Sequence, residues 1–126
     1  MVEERLTDGR RIAQVLASEV TGHGDDLDAL AVTDADPDVE PTPDGTFARA
    51  VDRDGERVAS VYVQPDRIRI EFERAVDAVA EAAGREGLRV RPKAVEPPRT
   101  LVFVEDGAQV KWLLPALRAV AAGSGG

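Results

Sequence analysis

The chain has 126 residues, a net charge of −8 and no cysteine. This length fits one domain, and the lack of cysteine excludes disulfides, thiol nucleophiles and thiolate metal ligands. No apolar run approaches the roughly 20 residues that span a bilayer, and the N-terminus has no apolar signal core. We therefore expect a single cytoplasmic domain over residues 1–122, with no membrane association, and a flexible tail at residues 123–126.

The charged residues are unusual in kind. Asp and Glu number 24, and only Lys93 and Lys111 among the 16 basic residues are not arginine. A large net charge destabilises a compact chain by self-repulsion, and molar salt screens that repulsion beyond about 3 Å. This balance predicts a halophilic acidic protein. An ordinary acidic protein from a GC-rich genome is the alternative.

The first third of the chain predicts a helix, a short strand and a loop. Apolar residues recur at helical spacing over residues 8–21, and Thr7 or Asp8 can cap the first turn. A short strand is predicted at residues 29–34. Three prolines and a glycine then predict a loop over residues 35–45.

The middle of the chain predicts a three-strand meander over residues 46–53, 56–64 and 67–72. Turn pairs separate these segments, and the third alternates polar and apolar residues. A two-residue turn at Asp54-Gly55 would place Phe47 and Val51 on the outer face, whereas a three-residue turn from Arg53 would place both inside. We favour the three-residue turn, because burying Phe47 contributes roughly 1.5–3 kcal/mol.

The last part predicts a helix at residues 74–83, strands at 88–91 and 100–104, and a helix at 107–121 that is kinked at Pro115. The apolar run from Leu101 to Val104 predicts a strand covered on both faces. The fold class is therefore α+β, with a mainly antiparallel sheet of about five to six strands and three helices packed mostly on one face.

The outer face of the meander is the first candidate surface. The predicted alternation places there Val58, Ser60, Tyr62, Gln64, Arg67, Arg69 and Glu71. Arg89, Arg91 and Lys93 share one face of a later strand, so neighbouring strands would form a cationic patch with one aromatic, as in many single-strand binders. The nucleic-acid candidates are Tyr62, Arg67, Arg69, Arg89, Arg91 and Lys93. Ordinary Arg–Glu pairing on a sheet surface is the alternative.

The last helix carries the second candidate surface. Trp112 lies off the apolar stripe of this helix, with Ala116 and Ala119 beside it at helical spacing. Tryptophan is enriched where proteins bind one another, so these three residues are candidates for a partner-binding or homo-oligomer contact. The alternative is that Trp112 covers the sheet edge within the monomer.

The sequence gives little support for a metal site or a catalytic site. Asp34, Asp36 and Asp38 alternate like the start of a calcium loop, but Val39 and Gly45 occupy the positions that need glycine and glutamate. They are therefore weak metal candidates only, and we expect no metal and no cofactor. The single histidine, His23, could act as a base only with a suitably placed partner, so we expect no catalytic residue.

The opening segment Val-Glu-Glu-Arg-Leu-Thr-Asp-Gly-Arg-Arg-Ile-Ala-Gln-Val-Leu-Ala-Ser-Glu resembles small haloarchaeal proteins with no assigned function. This resemblance transfers no site and implies only a haloarchaeal cytoplasm. We predict a non-enzymatic protein-interaction or self-association module. A nucleic-acid or ribosome accessory protein is the first alternative, and a hydrolase that uses carboxylates and His23 is the second.

Overall fold

A computed structural model of the chain describes residues 8–22, 27–36 and 38–122. This part of the chain holds six strands and four helices. The strands are β1 (Leu30–Thr33), β2 (Thr46–Arg53), β3 (Glu56–Val63), β4 (Ile68–Phe72), β5 (Arg89–Lys93) and β6 (Arg99–Val104). The helices are α1 (Gly9–Gly22), α2 (Val76–Arg85), α3 (Gln109–Trp112) and α4 (Leu114–Ala121). The predicted tail at residues 123–126 lies outside the described residues.

The strands form one antiparallel sheet in the order β1-β2-β3-β4-β6-β5. The first four strands follow one another as a meander, so the predicted three-strand meander gains β1 at its edge. The chain then passes through α2 to the opposite edge, where β5 forms, and β6 returns between β5 and β4. The predicted α+β class is confirmed.

The core lies between one face of the sheet and the helices. Inward-facing residues such as Val61, Ile70 and Val102 are at most 1% exposed. They share one apolar cluster with buried residues from all four described helices, including Leu16 and Leu117. The described residues contain no helix with the length and apolar character needed to cross a membrane.

The start of α1 is fixed by its cap and by a close backbone contact. Asp8 Oδ1 accepts hydrogen bonds from the backbone N–H groups of Arg10 and Arg11 at 3.0 and 3.4 Å. This confirms the predicted cap at Asp8, while Thr7 lies outside the described residues. The backbone N–H of Gly9 donates to Pro65 at 3.2 Å, which anchors the helix start on the β3–β4 turn.

The β2–β3 turn differs from the one predicted from the burial of Phe47. Arg53 pairs directly with Glu56, so Asp54 and Gly55 form a two-residue turn. Their φ angles of 53° and 82° are those of a type I′ turn, which matches the twist of the flanking strands. The predicted three-residue turn is therefore wrong, because Asp-Gly adopts the tighter turn readily.

The predicted three-residue turn would have shifted the pairing of β2 and β3 by one residue. In the structure a bulge in β3 causes this shift instead. Asp52 pairs with Arg57, but Val51 pairs with Ala59, which leaves Val58 as an extra residue. This bulge turns Val51 inward, as predicted, and Val51 is 3% exposed. Val58 was predicted on the outer face, but its side chain is buried in the core.

A second irregularity turns Phe47 outward, contrary to the prediction. The ladder shifts between Phe47 and Arg49, so Ala48 is the extra residue and Phe47 pairs with outward-facing Tyr62. The two rings meet edge to face with centroids 6.0 Å apart, and the Arg57 guanidinium lies 5.6 Å from the Phe47 ring centre. These contacts half-bury Phe47 without placing it in the core.

Strand β6 is internal to the sheet but is covered on one face only. Thr100, Val102 and Val104 are buried, whereas the alternate residues Leu101 and Phe103 are half-buried on the other face. The prediction of a strand covered on both faces is therefore wrong, because the described helices pack on one side of the sheet.

The last predicted helix is divided into two. Helix α3 ends at Trp112, α4 begins at Leu114, and Pro115 occupies the first turn of α4. Proline is tolerated in a first turn, since the N–H that it lacks has no partner there. The predicted kink at Pro115 is confirmed as a break in the helix.

Candidate functional site

The outward residues of β4, β5 and β6 form a cationic surface that we call the arginine face. They alternate with buried residues along β4 and β6, and the pairing of the three strands places them on the same side of the sheet as the outward residues of the edge strand β5. The arginine face consists of Arg69, Glu71, Arg89, Arg91, Lys93, Arg99, Leu101 and Phe103. Five cations and one carboxylate give it a charge of +4 (5 − 1), in a chain whose net charge is −8.

A buried carboxylate organises the centre of this surface. The Glu71 side chain is 5% exposed, and its Oε2 lies 3.1 Å from Arg69 Nε. Its Oε1 lies 3.2 Å from Arg99 Nη1 and 3.6 Å from Lys93 Nζ. One carboxylate thus holds cations from three adjacent strands, which reduces their mutual repulsion and fixes the positions of their charged groups.

Two arginines at the sheet edge are left open. Arg89 and Arg91 are both exposed, and neither guanidinium group has a hydrogen-bond or ion-pair partner among the described residues. A guanidinium carries five N–H donors in a planar fork that suits carboxylates and phosphates. These two side chains are therefore available to an anionic ligand.

The arginine face also contains a partly exposed aromatic ring. Phe103 pairs with Arg69 on one side and with Arg89 on the other. It is half-buried, and its ring has no aromatic or cationic ring contact among the described residues. Sequence reasoning missed Leu101 and Phe103, because an apolar run does not show which of its residues the helices leave uncovered. It missed Arg99 because this residue precedes the strand predicted at residues 100–104.

The ring of Tyr62, the aromatic residue predicted for this surface, is already covered by other side chains of the protein. The Arg69 guanidinium lies 4.6 Å from the Tyr62 ring centre, and Phe47 packs edge-on against the same ring. The loop before β2 closes this side further, since Arg69 Nη1 donates to the Asp44 carbonyl at 2.9 Å. A Cβ atom on Gly45 would lie 3.2 Å from Tyr62 Cβ, so the loop backbone is in close contact with this residue.

Arg67 precedes β4 and is not one of the residues that define the arginine face, although the sequence groups it with the nucleic-acid candidates. Its guanidinium pairs with Asp66 at 3.3 Å and with Glu105 at 3.4 Å, so two carboxylates neutralise it. It borders an open cleft of about 380 Å³, which is lined by Pro43, Gln64, Pro65, Asp66 and Arg67.

Arg49 is a further cation, on β2. It pairs with Val61, and its Nε is buried without a hydrogen-bond partner. Burial lowers the pKa of Arg49 below its ordinary value, although an arginine remains charged at neutral pH. Strand β3 separates it from β4, so it does not belong to the arginine face.

The aspartates of the loop do not converge on one point. Asp34 pairs with Arg57, and Asp36 Oδ1 accepts from the Asp38 backbone N–H at 3.0 Å. Within residues 8–22, 27–36 and 38–122, no three His, Asp or Glu side chains are placed to hold a metal ion. His23 lies outside these residues.

The Trp112 surface is smaller than the sequence suggests. Trp112 is 41% exposed, and a Cβ on Gly87 would lie 3.9 Å from its ring. Ala116 is fully buried and Ala119 is half-buried. Ala116 therefore belongs to the core, and the predicted trio does not form one exposed face.

Comparisons with known proteins identify the family but no function. No curated protein and no solved structure matches the chain. The model of a family of unknown function, DUF7993, matches residues 1–126. The chain therefore belongs to the DUF7993 family.

Proposed function

We propose that this protein is a non-enzymatic nucleic-acid-binding module and that the arginine face is its binding surface. The observation that carries this proposal is the pairing of Arg89 and Arg91, both open, with the apolar residues Phe103 and Leu101. Lysine and arginine contacts to phosphate supply most of the affinity of such modules, and exposed rings add stacking contacts to bases.

The net charge of −8 does not prevent this binding. At physiological ionic strength the Debye length is about 8 Å, so a phosphate held at β5 interacts mainly with the charges nearest to it. Arg89, Arg91 and Lys93 are those charges, and among the outward residues of the three strands Glu71 alone opposes them. The local charge, rather than the total charge, governs the interaction.

The same proposal extends to the protein's surroundings, which we take to be a halophilic cytoplasm. The excess of Asp and Glu and the near absence of lysine support this setting. Molar salt reduces the gain from counterion release, so binding in brine depends more on contacts that salt does not screen. The apolar residues Leu101 and Phe103 within the arginine face supply such contacts.

Purification without nuclease tests this proposal directly. The protein would be prepared in about 2–3 M potassium chloride, where screening removes self-repulsion, and run on size exclusion with light scattering and absorbance at 260 and 280 nm. Nucleic acid that co-elutes with the protein, and is absent from the Arg89→Glu/Arg91→Glu variant, supports the proposal. Equal retention by both proteins would contradict it.

Binding of a protein partner or a second copy through Trp112 is the second candidate function. The observation that favours it is the 41% exposure of this ring, one of two large exposed apolar side chains in the described part of the chain. The same light-scattering experiment tests it. A dimer or mixed complex that Trp112→Ala reduces to a folded monomer supports this function, whereas an unchanged mass would exclude it.

A further inference from the structure

The edge of the arginine face is built as two parallel lines of side chains. Outward residues of β5 pair one to one with those of β6: Arg89 with Phe103, Arg91 with Leu101, and Lys93 with Arg99. Successive outward residues on a strand are roughly 6.6 Å apart. All three outward residues of β5 are cationic. On β6, the first outward residue is Arg99, and the next two, Leu101 and Phe103, are apolar.

A single strand of nucleic acid has the same two-line construction, with phosphates on one side and bases on the other. Its unpaired bases can turn toward a protein and stack on an aromatic ring. The bases of a duplex are stacked inside and are read only through its grooves, so they cannot stack on a ring of the protein surface.

We infer that the arginine face takes a single strand that runs parallel to β5, with its phosphates over Arg89, Arg91 and Lys93 and a base stacked on Phe103. This inference rests on the proposed function and adds to it the form of the nucleic acid and its direction. The other side of the face is closed, because Arg69 covers Tyr62 and the loop carbonyl of Asp44 engages Arg69. The three outward residues of β5 give a footprint of about two to three nucleotides, and binding is tolerant of sequence, since every base has a π-face.

The test compares wild type with Phe103→Leu, which keeps an apolar side chain of similar size and removes the ring. Each protein is titrated into a fluorescently labelled oligothymidylate and into an abasic strand of equal length, and anisotropy reports binding. Removal of one stacking ring lowers affinity by about tenfold. We expect that decrease on oligothymidylate, no difference between the two proteins on the abasic strand, and recovery in Phe103→Tyr, which restores a ring.

The outcomes separate this inference from the proposed function. If wild type binds neither strand, the proposed function fails. If wild type binds both strands equally and Phe103→Leu changes nothing, the proposed function stands and the stacking inference is overturned. A duplex competitor that displaces the labelled strand as well as a single-stranded one does would also overturn it. Circular dichroism establishes that each variant is folded.

Discussion

Phe103 pairs with Arg89 across strands β6 and β5, and both side chains point to the face of the sheet opposite the core. Arg69 and Tyr62 are also an arginine paired with an aromatic residue. There, however, the guanidinium lies 4.6 Å from the ring centre, so each side chain already contacts the other. The two pairs therefore differ in whether their charged group and ring can still contact a ligand. Phe103 and Arg89 remain open to a ligand that brings both a planar ring and a negative charge.

Glu71→Gln should lower stability and raise affinity for nucleic acid at the same time. Three partly exposed cations lose the carboxylate that holds them. We expect a cost of about 2 kcal/mol, below the 3–5 kcal/mol of a fully buried pair. The charge of the arginine face rises from +4 to +5, which should tighten nucleic-acid binding by about fivefold, the effect of one close charge in water. Urea unfolding and anisotropy titration measure the two effects.

Glu105→Gln is the matched control for that experiment. Glu105 pairs with Arg67 at 3.4 Å outside the arginine face, and about a third of each side chain is exposed. An exposed pair contributes at most about 1 kcal/mol, so this variant should change stability little and affinity less than Glu71→Gln does. Equal gains in affinity from both variants would show that only the total charge matters.

Gly9→Ala should destabilise the protein by at least about 2 kcal/mol, within the range of overpacked sites. A Cβ at this position would lie 1.9 Å from the Gln64 carbonyl oxygen and 2.7 Å from that of Arg67. Both are backbone atoms of the β3–β4 turn and cannot rotate away.

Gly22→Ala, at the other end of α1, is the control. It has no atom within 4 Å of the new methyl group and should change the free energy of unfolding by less than about 0.5 kcal/mol. Similar unfolding midpoints for the two variants would contradict the docking of α1 on this turn.

Gly55→Ala should destabilise by about 1 kcal/mol through the backbone alone. Gly55 has φ +82° in the β2–β3 turn, and nothing lies within 4 Å of the added Cβ. Gly84→Ala in α2 meets equally open space without a positive φ, so it should instead stabilise by about 0.5–1 kcal/mol. Thermal unfolding of both variants measures these opposite changes in stability. A stabilised Gly55→Ala variant would be inconsistent with a type I′ turn.

Stability should rise with potassium chloride concentration. Like charges about 4 Å apart in water repel by about 1 kcal/mol, and this repulsion fades as the Debye length falls from about 10 Å at 0.1 M to about 3 Å at 1 M. The triple variant Asp38→Asn/Glu40→Gln/Asp44→Asn replaces three exposed carboxylates and carries a net charge of −5 (−8 + 3). Its urea midpoint should rise less steeply with salt than that of wild type. Parallel slopes would argue against self-repulsion as the cause.

The sequence predicts much of this site, because alternation along a strand is a local property. Period-two patterns place Tyr62 and Arg69 on one face of the meander and Arg89 and Arg91 on one face of a later strand, and both assignments agree with the pairing of the strands. The fold class and the approximate bounds of the main elements follow from the same patterns and from turn residues.

Other features depend on contacts between distant parts of the chain. The return of β6 between β4 and β5 unites the two sets of arginines, and nothing local in the sequence specifies that order. The outward placement of Phe47 depends on the extra residue Ala48, which has no signature of its own. The partial exposure of Phe103 likewise depends on where the helices pack, which the local sequence does not specify.

A charge-matched binding experiment tests most directly whether the arginine face binds nucleic acid. Arg89→Gln/Arg91→Gln removes two charges from the arginine face, and Arg85→Gln/Arg118→Gln removes two from α2 and α4, so both variants carry a net charge of −10 (−8 − 2). Each is titrated with a labelled single strand over a range of salt concentrations in which it is folded. We predict that the first variant binds at least tenfold more weakly and that its salt slope falls by about 0.7 for each phosphate that it no longer neutralises, while the second binds like wild type. Equal binding by the two variants, or none by wild type, would contradict the account.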